Sequence, residues 1–106
     1  MLSVGVATFL VIRTQDGPEW DPSRPMEQQT LWAEHADYMD VLTESGFFLF
    51  GGPSVYPRVP FVVAAPDEDE VHRTIARDPW HESHLVLRSI EPWTIRLRSP
   101  LLGDRL

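Results

Sequence analysis

Cysteine and lysine are both missing from this 106-residue chain. Without cysteine there is no disulfide framework, no thiolate metal ligand and no thiol nucleophile. Without lysine, Schiff-base chemistry is excluded, since every one of the nine basic residues is arginine. Positive charge is scarce overall: sixteen acidic residues leave a formal net charge of −7, which argues against nucleic acid and anionic membrane surfaces as partners. Long apolar runs are lacking too. Val4 to Ile12 is apolar but too short to span a bilayer, and no basic region precedes it. A cytoplasmic protein is the expectation.

What is present fits one domain, residues 1–98, followed by a tail at 99–106 that is either poorly ordered or docked on a partner. Ten prolines and four tryptophans are many for this length, so stiff loops and aromatic pockets are expected.

Val4 to Arg13, rich in β-branched and aromatic residues, reads as a first strand. Thr14 to Pro25 carries Asp16-Gly17-Pro18 and Asp21-Pro22 and reads as an unusually long loop. A helix is expected from Met26 to Ser45, closed by Gly46. Phe47 to Phe50 and Phe61 to Ala65 read as strands two and three, separated by Gly51-Gly52-Pro53, Pro57 and Pro60. The Gly51-Gly52-Pro53 run is no phosphate loop, because neither a helix nor a lysine follows it. Asp67 and Glu70 have capping-box spacing and open a second helix that stops at Asp78-Pro79. Leu85 to Ile90 and the alternation of Trp93, Ile95 and Leu97 read as the last strands.

The order β-α-β-β-α-β predicts a ferredoxin-like α+β domain with an antiparallel sheet and helices on one face. Val4, Val6, Phe9, Val11, Phe48, Phe50, Phe61, Val63, Leu85 and Leu87 are expected to supply apolar side chains to both faces of that sheet. A greasy face without helices needs a cover, and a second copy of the same sheet is the simplest one, giving a homodimer.

His35 stands out. At about 100° per residue, Leu31, His35, Tyr38 and Leu42 share one arc of the first helix, so an imidazole sits on an oily stripe. Either it is a core histidine bonded to a backbone carbonyl, or it moves protons with a carboxylate partner. Asp78 is the candidate partner. A carboxylate at a helix C-terminus opposes the helix dipole and so wants a reason, although Asp-Pro is also an ordinary helix stop. His72, His81 and His84 lack the fixed spacing of a metal site, and no metal is expected.

Several short motifs occur in a recognisable order: His35-Ala36-Asp37-Tyr38-Met39, Gly46, Phe47 to Phe50 leading into Gly52-Pro53, Asp78-Pro79-Trp80 and Glu91-Pro92-Trp93. In these, over roughly residues 26–97, the chain resembles the YCII-related family of small dimeric α+β barrel proteins. The resemblance implies that His35 and Asp78 form an active-site dyad; separately, no cofactor is expected. Some members of the family resemble lyases that eliminate halide from hydroxylated aromatic rings, and others are attached to regulatory proteins. The chain departs from the pattern in its Thr14–Pro25 loop, in Trp80, where phenylalanine is commoner, and in His81 and Glu82.

The expected chemistry is proton transfer on a small molecule, of lyase or isomerase type, with His35 as general base and Asp78 fixing its tautomer. Tyr38 would donate a hydrogen bond to the substrate, Trp32, Trp80 and Phe50 would line the pocket, and the backbone at Gly51 and Gly52 would meet the ligand. A module that holds a small molecule without turning it over is the alternative.

Overall fold

A computed structural model of the chain describes residues 6–102. Period-two alternation builds the first strand, β1 (Ala7–Thr14), which turns Phe9, Val11 and Arg13 to one face and Leu10 and Ile12 to the other. After a helix, α1 (Trp32–Glu44), come β2 (Phe48–Gly51) and β3 (Arg58–Ala65). A second helix, α2 (Glu68–Ala76), and β4 (Val86–Pro92) complete the ferredoxin-like α+β order. The strands form one sheet, β2-β3-β1-β4, in which all neighbours run antiparallel. Both helices cover the same face: Leu42 of α1 and Val71 and Ile75 of α2 pack with Phe9, Val11, Phe48, Val63 and Ala65. Each such fully buried aliphatic side chain contributes about 1.5–3 kcal/mol over an exposed one. No helix among the described residues is long and apolar enough to cross a membrane.

The first helix starts later than its sequence pattern predicts. Met26–Gln28 form a single 3-10 turn, Leu31 is left-handed at φ 61°, and α1 begins only at Trp32. Tertiary hydrogen bonds claim this stretch. The Gln29 carboxamide donates to the carbonyls of Asp21 and Arg24 and accepts from the Asp21 N–H, while the Thr30 carbonyl accepts from the Trp80 indole. Leu31 therefore leaves the apolar stripe and is exposed. The far end behaves as read. Gly46 takes φ +86°, and the Phe47 and Gly46 N–H groups return to the carbonyls of Leu42 and Thr43, a Schellman closure.

The strands differ from expectation at three places. β3 begins at Arg58, before Pro60, which reads as a breaker; Pro60 stands opposite Ile12, and its carbonyl accepts from the Gly52 N–H. No strand forms over Trp93 to Leu97: the Trp93 N–H donates to Thr8, and β1, which begins at Ala7, offers no partner further on. The apolar residues expected on both faces also fall mostly on one. Phe9, Val11, Phe48 and Val63 all belong to the helix-side core, and Leu85 lies outside the strands. Val4 lies outside the described residues. By strand alternation, the outer face instead carries Leu10, Ile12, Val62 and Ala64.

Asp67 caps α2 by accepting the Glu70 N–H, as its spacing predicts. Only half of the reciprocal box forms, because the Glu70 carboxylate reaches forward to Arg73 and Thr74. α2 ends at Ala76, and Asp78 follows in a turn whose N–H returns to Ile75.

Candidate active site

Three elements converge at the C-terminal end of α2. α1 supplies His35, the turn after α2 supplies Asp78 and Trp80, and β1 supplies Arg13. His35 Nδ1 lies 2.8 Å from Asp78 Oδ1, and the Trp80 backbone N–H donates to the same oxygen at 2.9 Å. Arg13 Nη1 donates to Asp78 Oδ2 at 2.7 Å, and both side chains of that ion pair are fully buried. An ionised carboxylate only accepts hydrogen bonds, so the His35 proton facing it sits on Nδ1.

Burial alone would push the Asp78 carboxyl up. The hydrogen bond from His35, the charge of Arg13 and the Trp80 N–H together outweigh it and hold Asp78 below the usual carboxylate range. Burial pulls the Arg13 guanidinium below its ordinary value, while Asp78 opposes the shift. The Arg13 Nε and Nη2 are buried without hydrogen-bond partners. A buried arginine with two unsatisfied nitrogens is costly, so its contact with Asp78 is the interaction that accounts for it.

The His35 ring lies flat on Trp80, with centroids 3.9 Å apart and planes 9° from parallel. His84 stacks on Trp80 at 5.0 Å, and the Trp20 and Trp32 rings close around the same indole. Trp80 is fully buried, and its indole N–H donates to the Thr30 carbonyl at 2.8 Å. His84 bonds Thr30 Oγ1 through Nε2 and Ser83 Oγ through Nδ1, each at 2.8 Å. Burial lowers the His84 pKa. The long loop after β1 is pinned to this wall by Gly17 N–H to the His84 carbonyl and Glu19 N–H to the Ser83 carbonyl. Only glycine fits at position 17, because a Cβ there would stand 2.4 Å from the Ser83 carbonyl oxygen.

Beside His35 opens a cleft of about 630 Å³ with aromatic walls from Trp32, Phe48, Phe50, Phe61 and Trp80. His35 lines it, and Nε2 makes no hydrogen bond among the described residues. The arrangement is thus a ring whose one nitrogen is held by a buried carboxylate while the other is left to a mostly apolar cavity. Such a nitrogen can accept a proton from a bound molecule.

Of the residues singled out from the sequence, His35, Trp32, Phe50, Gly51 and Trp80 line the cleft, and Asp78 lies behind His35. Tyr38 and Gly52 do not. The Tyr38 hydroxyl donates to the Thr74 carbonyl at 2.8 Å, which ties it to α2. Gly52 belongs to a separate, shallow groove on the outer side of the β2 edge, with Leu10 and Trp93. Sequence reasoning missed Arg13 and Gln15. The signal was available: both continue the inward parity of Phe9 and Val11, where a charged or amide side chain is out of place. Among the described residues no three histidine or acidic side chains are grouped to hold a metal ion.

The family model of the YCII-related domain matches residues 8–94. Among curated proteins, none matches the chain.

Proposed function

The chain belongs to the YCII-related domain family, and on that footing we propose that it is a small cytoplasmic enzyme catalysing proton transfer on a small molecule without a cofactor. The reaction is of lyase or isomerase type, on a hydroxylated or halogenated aromatic substrate. One observation carries this reading: the 2.8 Å bond from His35 Nδ1 to Asp78 leaves Nε2 as the base on the cleft side. His35 Nε2 takes a proton from a hydroxyl or an acidic carbon. Asp78 holds the Nδ1 proton and stabilises the imidazolium that forms. Arg13 keeps Asp78 ionised. In an elimination, a ring proton shift first makes the halogen-bearing carbon tetrahedral; His35 then takes a hydroxyl proton, the O–H pair becomes a C=O double bond, the ring double bond shifts, and halide leaves with the C–X pair. Positioned acid–base catalysis of this kind supplies roughly 10²–10⁴ in rate.

The test is turnover, followed as halide release and by spectroscopy, of a panel of halogenated hydroquinones and hydroxyhydroquinones. His35→Ala is expected to lose at least about a hundredfold in kcat and Asp78→Asn at least about tenfold. Folded variants that keep full activity would sink the mechanism. Binding without turnover across the panel would favour the non-catalytic, ligand-holding reading.

The proposal includes a homodimer formed through the outer sheet face. Its support is Leu10 and Ala64, half-buried on that face beside Trp93, which is 43% exposed, while Ile12 and Val62 of the same row are already buried within the chain. A face of that kind is ordinarily covered.

A further inference from the structure

β1 sends a single row of side chains toward the helices. Phe9 and Val11 enter the core and Arg13 holds Asp78, while the next residue of that parity, Gln15, lines the cleft with His35. Gln15 is only 8% exposed. Its backbone is fixed, since its N–H donates to the Pro57 carbonyl at 2.8 Å and its carbonyl accepts from the Tyr56 hydroxyl at 3.4 Å. Its carboxamide makes no hydrogen bond to another group among the described residues. Neither amide atom is among the buried, unpartnered ones, so the carboxamide stays open at the cleft wall with both a donor and an acceptor to offer a ligand.

The charges around the cleft narrow what meets that amide. Among the described residues, Asp40, which is exposed, is the one ionisable side chain besides His35 that lines it, and no arginine does. An anionic ligand would face a carboxylate and, among the described residues lining the cleft, no permanently charged cation. The aromatic walls favour flat rings, which stack at little cost in conformational entropy.

We infer that Gln15 is the specificity-determining residue of the cleft, its carboxamide hydrogen-bonding an oxygen of an uncharged, planar aromatic ligand, and that aromatic carboxylates are disfavoured there. The inference rests on the cleft being the ligand site of the proposed function, and it does not require turnover.

Isotope-labelled protein titrated with phenol, toluene and benzoate at neutral pH tests it by NMR. Phenol is expected to shift the Gln15 side-chain amide and the His35 ring, toluene to shift the ring alone, and benzoate to bind at least about tenfold more weakly than phenol. Gln15→Met should weaken phenol about tenfold while leaving toluene within about twofold. Equal effects on both ligands, no effect on phenol, or benzoate binding as tightly as phenol would overturn the assignment. Should the variant fail to fold, the wild-type amide decides alone: a shift with phenol and none with toluene supports it, and no shift with phenol overturns it. If none of the probes moves any cleft resonance, the cleft is not a ligand site and the proposed function falls as well. Binding in the expected order without turnover of the halogenated panel would remove the enzyme reading and leave Gln15 its role.

Discussion

His35 and Trp80 lie face to face, with ring centroids 3.9 Å apart and planes 9° from parallel. The residue that donates a backbone N–H to Asp78 thus also provides the surface on which the Asp78-bound imidazole rests. In the proposed proton transfer, the imidazolium would meet the negative face of an indole, worth about 0.5–2 kcal/mol. Trp80→Phe keeps an aromatic face but loses the bond to the Thr30 carbonyl. It should retain more turnover than Trp80→Leu, which loses both. Equal activity in the two variants would remove the stack from the mechanism. Trp80→Ala, at a fully buried site, should cost about 3–5 kcal/mol in urea unfolding.

The Arg13–Asp78 pair should behave as a coupled unit, because both side chains are fully buried. Arg13→Met strands a buried carboxylate and should cost about 3–5 kcal/mol. Adding Asp78→Asn should then cost less than it does alone, giving a coupling of about 1–3 kcal/mol in a double-mutant cycle. Strict additivity of the two changes in chemical denaturation would contradict a shared role.

Stability should fall in two steps as pH is lowered. His84 is held below its ordinary value, so between about 6.5 and its folded value the unfolded chain binds the proton first, and folding weakens as pH falls through that window. Asp78 is depressed as well; its contribution is complete above about pH 4 and is lost as pH drops through its folded value. His84→Gln should abolish the upper step and leave the lower one, as read from urea midpoints across pH. An upper step that persists in the variant would assign it elsewhere.

Leu10 lies at the centre of the outer face, between Val62 on β3 and Glu91 on β4. If two sheets pair there, Leu10→Glu buries a charge in the interface and should yield a monomer by light scattering at micromolar concentration. The folded core, on the opposite face, should be untouched in circular dichroism. A wild-type chain that is already monomeric would contradict the dimer.

The order of elements was legible because it is written in local periods: alternation in β1, a capped helix ending at Gly46, and an acidic start to α2. His35 was visible for the same reason, as a polar side chain breaking an apolar arc. What stayed hidden depends on contacts across the chain. Arg13 and Asp78 are separated by 65 positions, and only the sheet register brings β1 beneath the end of α2. Leu31 leaves the helix because Gln29 and Thr30 are committed to distant partners. Pro60 disguised the start of β3, since a missing N–H reads as a break until a place in the ladder that tolerates it is seen. Tyr38 has the right spacing from His35 for the cleft, but its hydroxyl goes to the Thr74 carbonyl.

Asp78 is expected to hold the His35 proton on Nδ1 and to leave Nε2 bare toward the cleft. Nitrogen-15 NMR of the His35 ring, at a pH where it is neutral, reads this directly. The predicted result is a protonated Nδ1 and an unprotonated Nε2 in the wild type, with that preference weakened in Asp78→Asn. A wild-type ring carrying its proton on Nε2 would contradict the account.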